Sequence, residues 1–239
     1  MKRLILLMIT CYCLLPGHAN TDIASDSLLQ VLQTLPHDTT RLSTLNDIIK
    51  IEQNNYKCIQ YSDTLMQEAL KLKNDKYASL AAYYHLLYYY NRSEQDSVAK
   101  WIVRIEPYVQ RSGLWDYFFD AQRFQIDLYT FTEQYELAIS EANKMKQKAL
   151  NTNSNRGTVA AYQCLSNAYI GSQRWDEGLK ALEEAYRLLP KKGNAVVHIS
   201  VLSQLISVTK EMKDNNRQLK YLQELESVLR KFIIDNPSL

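Results

Sequence analysis

The residues able to do chemistry are few, and their spacing is uninformative for catalysis. Beyond the first nineteen residues the histidines are His37, His85 and His198 and the cysteines are Cys58 and Cys164. No histidine lies three or four residues from another histidine or a cysteine, so no helical metal pair is present. The six glycines never gather into a phosphate-cradling loop, and no Gly-x-Ser-x-Gly elbow occurs. His37 belongs to a turn, His85 fits a core place between tyrosines, and His198 fits a helix surface. Cys58 and Cys164 lie far apart and are expected to be free and buried. The carboxylates from Asp120 to Asp127, with Glu183 and Glu184, read as a solvated face, because nothing local signals the burial that raises a pKa. The lysines Lys144, Lys146 and Lys148, and Lys191 with Lys192, read as solvated surface too. The chain is therefore expected to be neither an enzyme nor the holder of a metal or cofactor.

The first nineteen residues are a separate object. Lys2 and Arg3 precede an uncharged run from Leu4 to Leu15, Pro16 and Gly17 break it, and Gly17-His18-Ala19 supplies small residues where a signal peptidase reads. This is the pattern of a secretory signal peptide over 1–19, cut after Ala19. The apolar run is shorter than the roughly 20 residues that a spanning helix needs, and Met8-Ile9-Thr10 before Cys11 is a poor lipobox. The expected location is thus the periplasm or the exterior, without stable membrane insertion. The whole chain has 28 Lys and Arg against 26 Asp and Glu; without Lys2 and Arg3 the counts are equal. A neutral chain has no net field to draw a phosphate backbone, so nucleic acid is not an expected partner.

The rest of the chain is built for helices. Hydrophobic residues make up 46%, and there are only six glycines and five prolines. Asp22 to Leu35 reads as a leading helix ended by Pro36, so that 20–38 forms a helix and linker, with Thr39 or Thr40 capping the first repeat helix. From 39 to 235 a forty-residue period dominates. Its clearest unit has Tyr162, Leu165 and Tyr169 on one helical stripe, a break at Gly171-Ser172-Gln173, and a second stripe of Leu179, Leu182, Ala185 and Tyr186 ended by Pro190. Shifts of forty carry Tyr169 to Tyr129, Tyr89 and Ile49, and Leu182 to Ala142, Ile102, Ser62 and Leu222. Turn-forming residues recur between the stripes, at Asn54-Asn55, Asn91 to Ser93, Glu133-Gln134 and Asp214-Asn215. Asn74-Asp75, Ser112-Gly113, Asn151 to Gly157 and Lys191 to Gly193 separate the units. The extra residues lengthen either the helices or the turns. The last unit is polar at Thr209, Asn215 and Gln218, as a capping unit is expected to be, and no boundary is expected inside the array.

The unit Tyr162, Leu165, Ser166, Tyr169, Trp175, Gly178, Leu182, Ala185 and Pro190 resembles the tetratricopeptide repeat (TPR), with Ser166 and Gly178 where that family prefers Gly and Ala. The family's usual period is about 34. The resemblance implies an all-α solenoid of about five antiparallel helix pairs behind a leading helix. It implies a concave groove lined by Ser43, Asp47, Tyr83, Leu87, Tyr90, Arg123, Asp127, Thr130, Gln163, Asn167 and Ile170. A mixed polar lining with aromatic anchors suits a protein or peptide partner. The layout of leader, Leu28 to Leu32, Leu35 to Leu42 and helix pairs is also similar to the periplasmic front half of bacterial membrane-anchored regulators with a histidine-kinase or DNA-binding output. The chain stops before such a module. The expected function is an exported scaffold or sensor module. A small-ligand or glycan-binding repeat protein, suggested by Tyr83 to Tyr90, and a truncated sensor-kinase front half are the alternatives. Partner identity and oligomeric state are not written in the sequence.

Overall fold

A computed structural model describes residues 18–52, 55–189 and 195–235. The expected signal peptide up to Gly17, Asn54, the expected break from Pro190 to Gly193 and the last four residues lie outside them. Every described element is a helix: α1 (His18–Thr34), α2 (Thr39–Glu52), α3 (Lys57–Lys71), α4 (Asp75–Tyr90), α5 (Gln95–Ser112), α6 (Trp115–Phe131), α7 (Tyr135–Asn151), α8 (Asn155–Gly171), α9 (Trp175–Arg187), α10 (Ala195–Glu211) and α11 (Asn215–Asp235). This is the all-α arrangement of a leading helix and five pairs. Its density divides between Tyr88 and Tyr89, inside α4, where a continuous array is expected from the repeats.

The division coincides with a change of step. Helices start at Thr39, Lys57 and Asp75, eighteen residues apart. From Asp75 they start at Gln95, Trp115, Tyr135, Asn155, Trp175, Ala195 and Asn215, twenty residues apart. The forty-residue period is therefore two equal steps, and it does not extend to the first pair, where the period is 36. The apolar pattern survives the mismatch because four residues are about one helical turn and return to nearly the same face.

The extra residues lengthen the helices. α6, α7 and α8 are each 17 residues long and are joined by three-residue connections. Seven connections hold a residue in the left-handed region: Lys73, Ser93, Gly113, Glu133, Asn153, Gln173 and Lys213, with φ from 51° to 75°. At Gln173 the Arg174 N–H donates to Tyr169 O at 2.8 Å and the Gln173 N–H to Ile170 O at 2.9 Å. Five other connections repeat this pair of bonds, which satisfies the last carbonyls of one helix and leads directly into the next. Asn155 to Gly157 is not part of the break. It forms the first turn of α8, where the Ser154 side chain accepts from the Gly157 N–H at 3.0 Å.

In the first unit α1 packs on α2 and α2 on α3. Leu42, Leu45 and Ile49 share one face of α2 and are fully buried with Leu65 and Leu86. Polar ties set the angles. Ser25 Oγ donates to Glu52 at 2.7 Å, Arg41 Nε to Glu68 at 2.9 Å, and Tyr84 Oη to Asn46 at 3.0 Å. Asp38, rather than Thr39 or Thr40, caps α2, because its carboxylate accepts from the Thr40 N–H at 2.8 Å. His85 is buried as expected, with Nε2 3.1 Å from Asp63 Oδ1, and Cys58 and Cys164 are buried and not joined in a disulfide.

In the second unit consecutive helices from α5 to α11 pack on each other, and α6 also packs on α8. Small residues let α7, α8 and α9 approach closely: Ala138, Ala142, Ala149, Ala161, Ala168 and Ala185 are fully buried. α9 and α11 exchange hydrogen bonds. Tyr221 Oη donates to Glu183 at 3.0 Å and Tyr186 Oη donates to Glu224. Glu183 is thus a hydrogen-bond partner of α11 while its side chain stays 41% exposed. The outer face of α11 departs from the expected polar cap, because Leu219, Leu222, Leu229 and Ile233 stand exposed on it.

Candidate functional site

Two clusters on α6, α8 and α10 hold most of the projected groove residues of the second unit. The first sits where the last turn of α4 meets α6. The Tyr90 ring stacks on Phe124 at 4.3 Å between centroids. The Arg123 guanidinium lies over the same Phe124 ring, 5.4 Å from its centroid. Asp127 follows Arg123 by one turn. Burial pushes the Asp127 carboxyl up to about 6, with the Arg123 charge opposing. Burial and then the Asp127 charge push the Tyr90 hydroxyl up to about 12. Burial, then Asp127, raises the Cys164 thiol on the neighbouring α8. The thiol is thus held protonated, the inert form of a cysteine.

These carboxylates are not a solvated face, because the helix that buries them is α8, forty residues away. Burial likewise raises Asp120, whose side chain is 17% exposed and accepts from Arg156 Nη2 at 2.8 Å. Asp127 makes stability pH-dependent. A carboxyl whose folded pKa lies above its ordinary 3.8 favours the folded state below about pH 4, and that contribution is lost as pH rises through 6. The expected result is a fall of about 1–2 kcal/mol between these pH values. Urea midpoints measured across the range should fall more steeply in the natural chain than in Asp127→Asn, which keeps the contribution of Asp120.

The second cluster joins α8 to α10 through side-chain amides. Gln163 Nε2 donates to Gln204 Oε1 at 2.8 Å and to Ser200 Oγ at 3.3 Å. Gln204 Nε2 donates to Asn167 Oδ1 at 3.4 Å. The forty-residue shift points from Gln163 to Ser203 and from Asn167 to Ser207. The structure uses Ser200 and Gln204 instead, because the contact runs diagonally between helices. Sequence reading missed these two residues, and their only signal was polarity on an otherwise apolar helix.

The remaining projected residues behave differently. Tyr83 and Leu87 are half-buried on α4, in the first unit, with Tyr83 edge-on to Tyr84 at 6.1 Å. Ser43 is half-buried and Asp47 exposed on α2, while Thr130 is half-buried on α6. Ile170 is turned away from the face. It packs on the core beside Leu179 and Leu182, over Gly178, where any Cβ would lie 2.7 Å from Ile170 Cγ1. The absence of a side chain at Gly178 is what draws Ile170 inward. Lys146 and Lys148 also differ from the expected solvated surface. Other helices bring rings to them, Tyr162 at 5.4 Å from Lys146 Nζ and Phe118 at 4.6 Å from Lys148 Nζ. An open concavity of about 500 Å³ lies away from both clusters, at the turns before α6 and α8, lined by Trp115, Asp116, Asp120 and Arg156. Arg156 reaches both carboxylates, 3.7 Å from Asp116 and 2.8 Å from Asp120, one cation against two acids.

The arrangement can hold a molecule by side-chain donors, acceptors and one stacked ring pair. Among the described residues no group of three or more His, Cys, Asp or Glu is placed to hold a metal ion, and no helix is long and apolar enough to cross a membrane.

Fold and faces together define an all-α protein of stacked helix pairs. No family model matches the chain, and no curated protein matches it. Among solved structures, the crystal structure of BtubC (BKLC) from P. vanneervenii is similar to it with a TM-score of 0.64, 12% identity and coverage of 90% of each chain. At that identity the likeness is one of fold.

Proposed function

We propose that this protein is an exported, TPR-like scaffold or sensor module that binds a protein or peptide partner through the first-helix face of α6, α8 and α10. One observation carries the reading. Gln163, Asn167, Ser200 and Gln204 bond to one another across two helices while remaining half-buried or exposed. Such amides can exchange internal bonds for bonds to a peptide backbone at little net cost, because each bond is only modestly favourable against its replacement. Tyr90 and Phe124 supply a ring pair on α4 and α6 of the same unit, suited to one apolar anchor. The TPR reading rests on the motif from Tyr162 to Pro190. Export and a periplasmic setting rest on the leader sequence, and a part in signalling rests on the layout shared with regulator front halves.

The test is a pull-down from the exported fraction of the native cell. The bait is the chain from Asn20, beside a variant with alanine at Gln163, Asn167 and Gln204. The expected result is one protein retained by the natural bait and reduced at least tenfold on the variant, about 1.4 kcal/mol or more of binding energy. An alanine at exposed Lys180 on α9 should leave retention unchanged. Equal retention by the triple variant, with its helical spectrum intact, would remove the face from consideration.

A further inference from the structure

The last helix has two apolar faces, and only one is used. Tyr221 is buried, and Leu225 and Val228 pack with it on the core. On the other side Leu219, Leu222, Leu229 and Ile233 are 57%, 44%, 37% and 62% exposed. With Glu226 between them they step by three and four residues, a continuous stripe along one side of a helix. Twenty-one residues of helix carry it.

The same places are covered elsewhere in the unit. Forty residues earlier Leu219 and Leu222 correspond to Leu179 and Leu182, which are 3% and 1% exposed. A further forty back stand Ile139 and Ala142, 8% and 0% exposed. At those levels neighbouring helices cover the face. α11 therefore presents openly the surface that this unit otherwise uses to pack helix on helix, and a stripe of that size marks an interaction site.

The pattern selects its occupant. The stripe is symmetric about Glu226: Leu219 and Ile233 lie seven residues away on either side, and Leu222 and Leu229 lie four and three away. A second copy turned end for end about a two-fold axis at Glu226 places leucine and isoleucine against leucine and isoleucine. Arg230, which holds Glu226 at 2.6 Å in its own chain, then stands within reach of Glu226 on the other copy. A two-fold contact of one surface with itself is the commonest route to a dimer. Residues 25–34 of the leading helix offer no such stripe for head-to-tail packing, since Val31 is the one large exposed hydrophobic among them. We propose that a second copy of this chain docks antiparallel on the outer face of α11, through Leu219, Leu222, Leu229 and Ile233.

Sedimentation of the whole chain over a dilution series tests this. The natural chain should pass from dimer to monomer on dilution. Leu222→Glu with Leu229→Glu should raise the dissociation constant at least about a hundredfold, and the same positions changed to lysine should do likewise. Both variants should keep the natural helical spectrum, since neither side chain is buried. Mixing the glutamate and lysine variants should restore association as a one-to-one heterodimer, which a folding defect could not produce. A monomer at every concentration, a dimer that survives the glutamates, or a failure of the mixture to associate would overturn the proposal. So would capture of a different protein on the stripe while the chain itself stays monomeric.

Discussion

Replacing Gly157 by alanine lowers the stability of the second unit by about 1–3 kcal/mol, although alanine is the better helix former. A Cβ at Gly157 would lie 2.5 Å from Cδ2 and 2.7 Å from Cγ of Phe119, well inside contact distance. The ring has nowhere to go. Phe119 is 1% exposed and is held by Phe118 edge-on at 5.7 Å and by Trp115 at 6.2 Å. Either the ring leaves its rotamer or α8 retreats from α6, and the second outcome would also loosen the amide bonds between α8 and α10. Urea unfolding measures the loss, and a double-mutant cycle assigns it. Phe119→Ala is costly alone, but in that background Gly157→Ala should cost less than half as much, because Cγ and the ring atoms that clash are gone. Gly171→Ala provides the contrast. Its Cβ would lie 2.4 Å from Tyr135 Cε1, but Tyr135 is half-buried at the start of α7 and can swing outward, so a smaller loss is expected.

Glycine at the left-handed connections should have the opposite effect, and its sum over sites is the second large change. Glu133, Gln173 and Lys213 sit at φ 60°, 64° and 59°, where an L side chain costs about 1–2 kcal/mol. All three are exposed, so their side chains contribute little packing. Glycine removes the steric cost and adds back about 0.5–1 kcal/mol of unfolded-state entropy. A gain of about 0.5–1 kcal/mol per site remains, and sites this far apart should add to about 1.5–3 kcal/mol in the triple variant. Two controls fix the interpretation. Asn153 at φ 53° is a side chain that tolerates this region, so Asn153→Gly should be nearly neutral. Gly113 has φ 75° and open space around a built Cβ, so Gly113→Ala should lose about 1–2 kcal/mol through backbone strain alone. Thermal or urea midpoints of these variants decide the matter. A triple variant less stable than the natural chain would show that the side chains at these turns do more than cap.

The faces are less legible in sequence than the helices. Arg123, Asp127, Gln163 and Asn167 are placed by laying the TPR resemblance, which implies the groove-facing positions, over a register of helix period and turns. Ser200 and Gln204 do not follow, because the tilt between α8 and α10 depends on how the side chains beneath them pack. Asp127 shows the same limit for electrostatics: it stands between Ile126 and Leu128, 1% and 4% exposed, but neighbours on a helix point to different faces, so only the approach of Cys164 on α8 revealed its burial. Lys148 reads as solvated beside Lys144 and Lys146, yet rings from α6 cover it.

The sequence by itself determined that the chain is helical, that its helices alternate with short turns, and that they recur in pairs, because apolar periodicity and turn chemistry act within a few residues. Tertiary structure decided the rest. It decided the step of twenty residues, shared out between helix length and connection, and the step of eighteen before α4, where α3 is 15 residues long. It decided that Ile170 turns inward over Gly178, and that the last helix shows an apolar rather than a polar outer face. Each of these depends on which helix lies opposite, and a residue's exposure is a property of its neighbours in space.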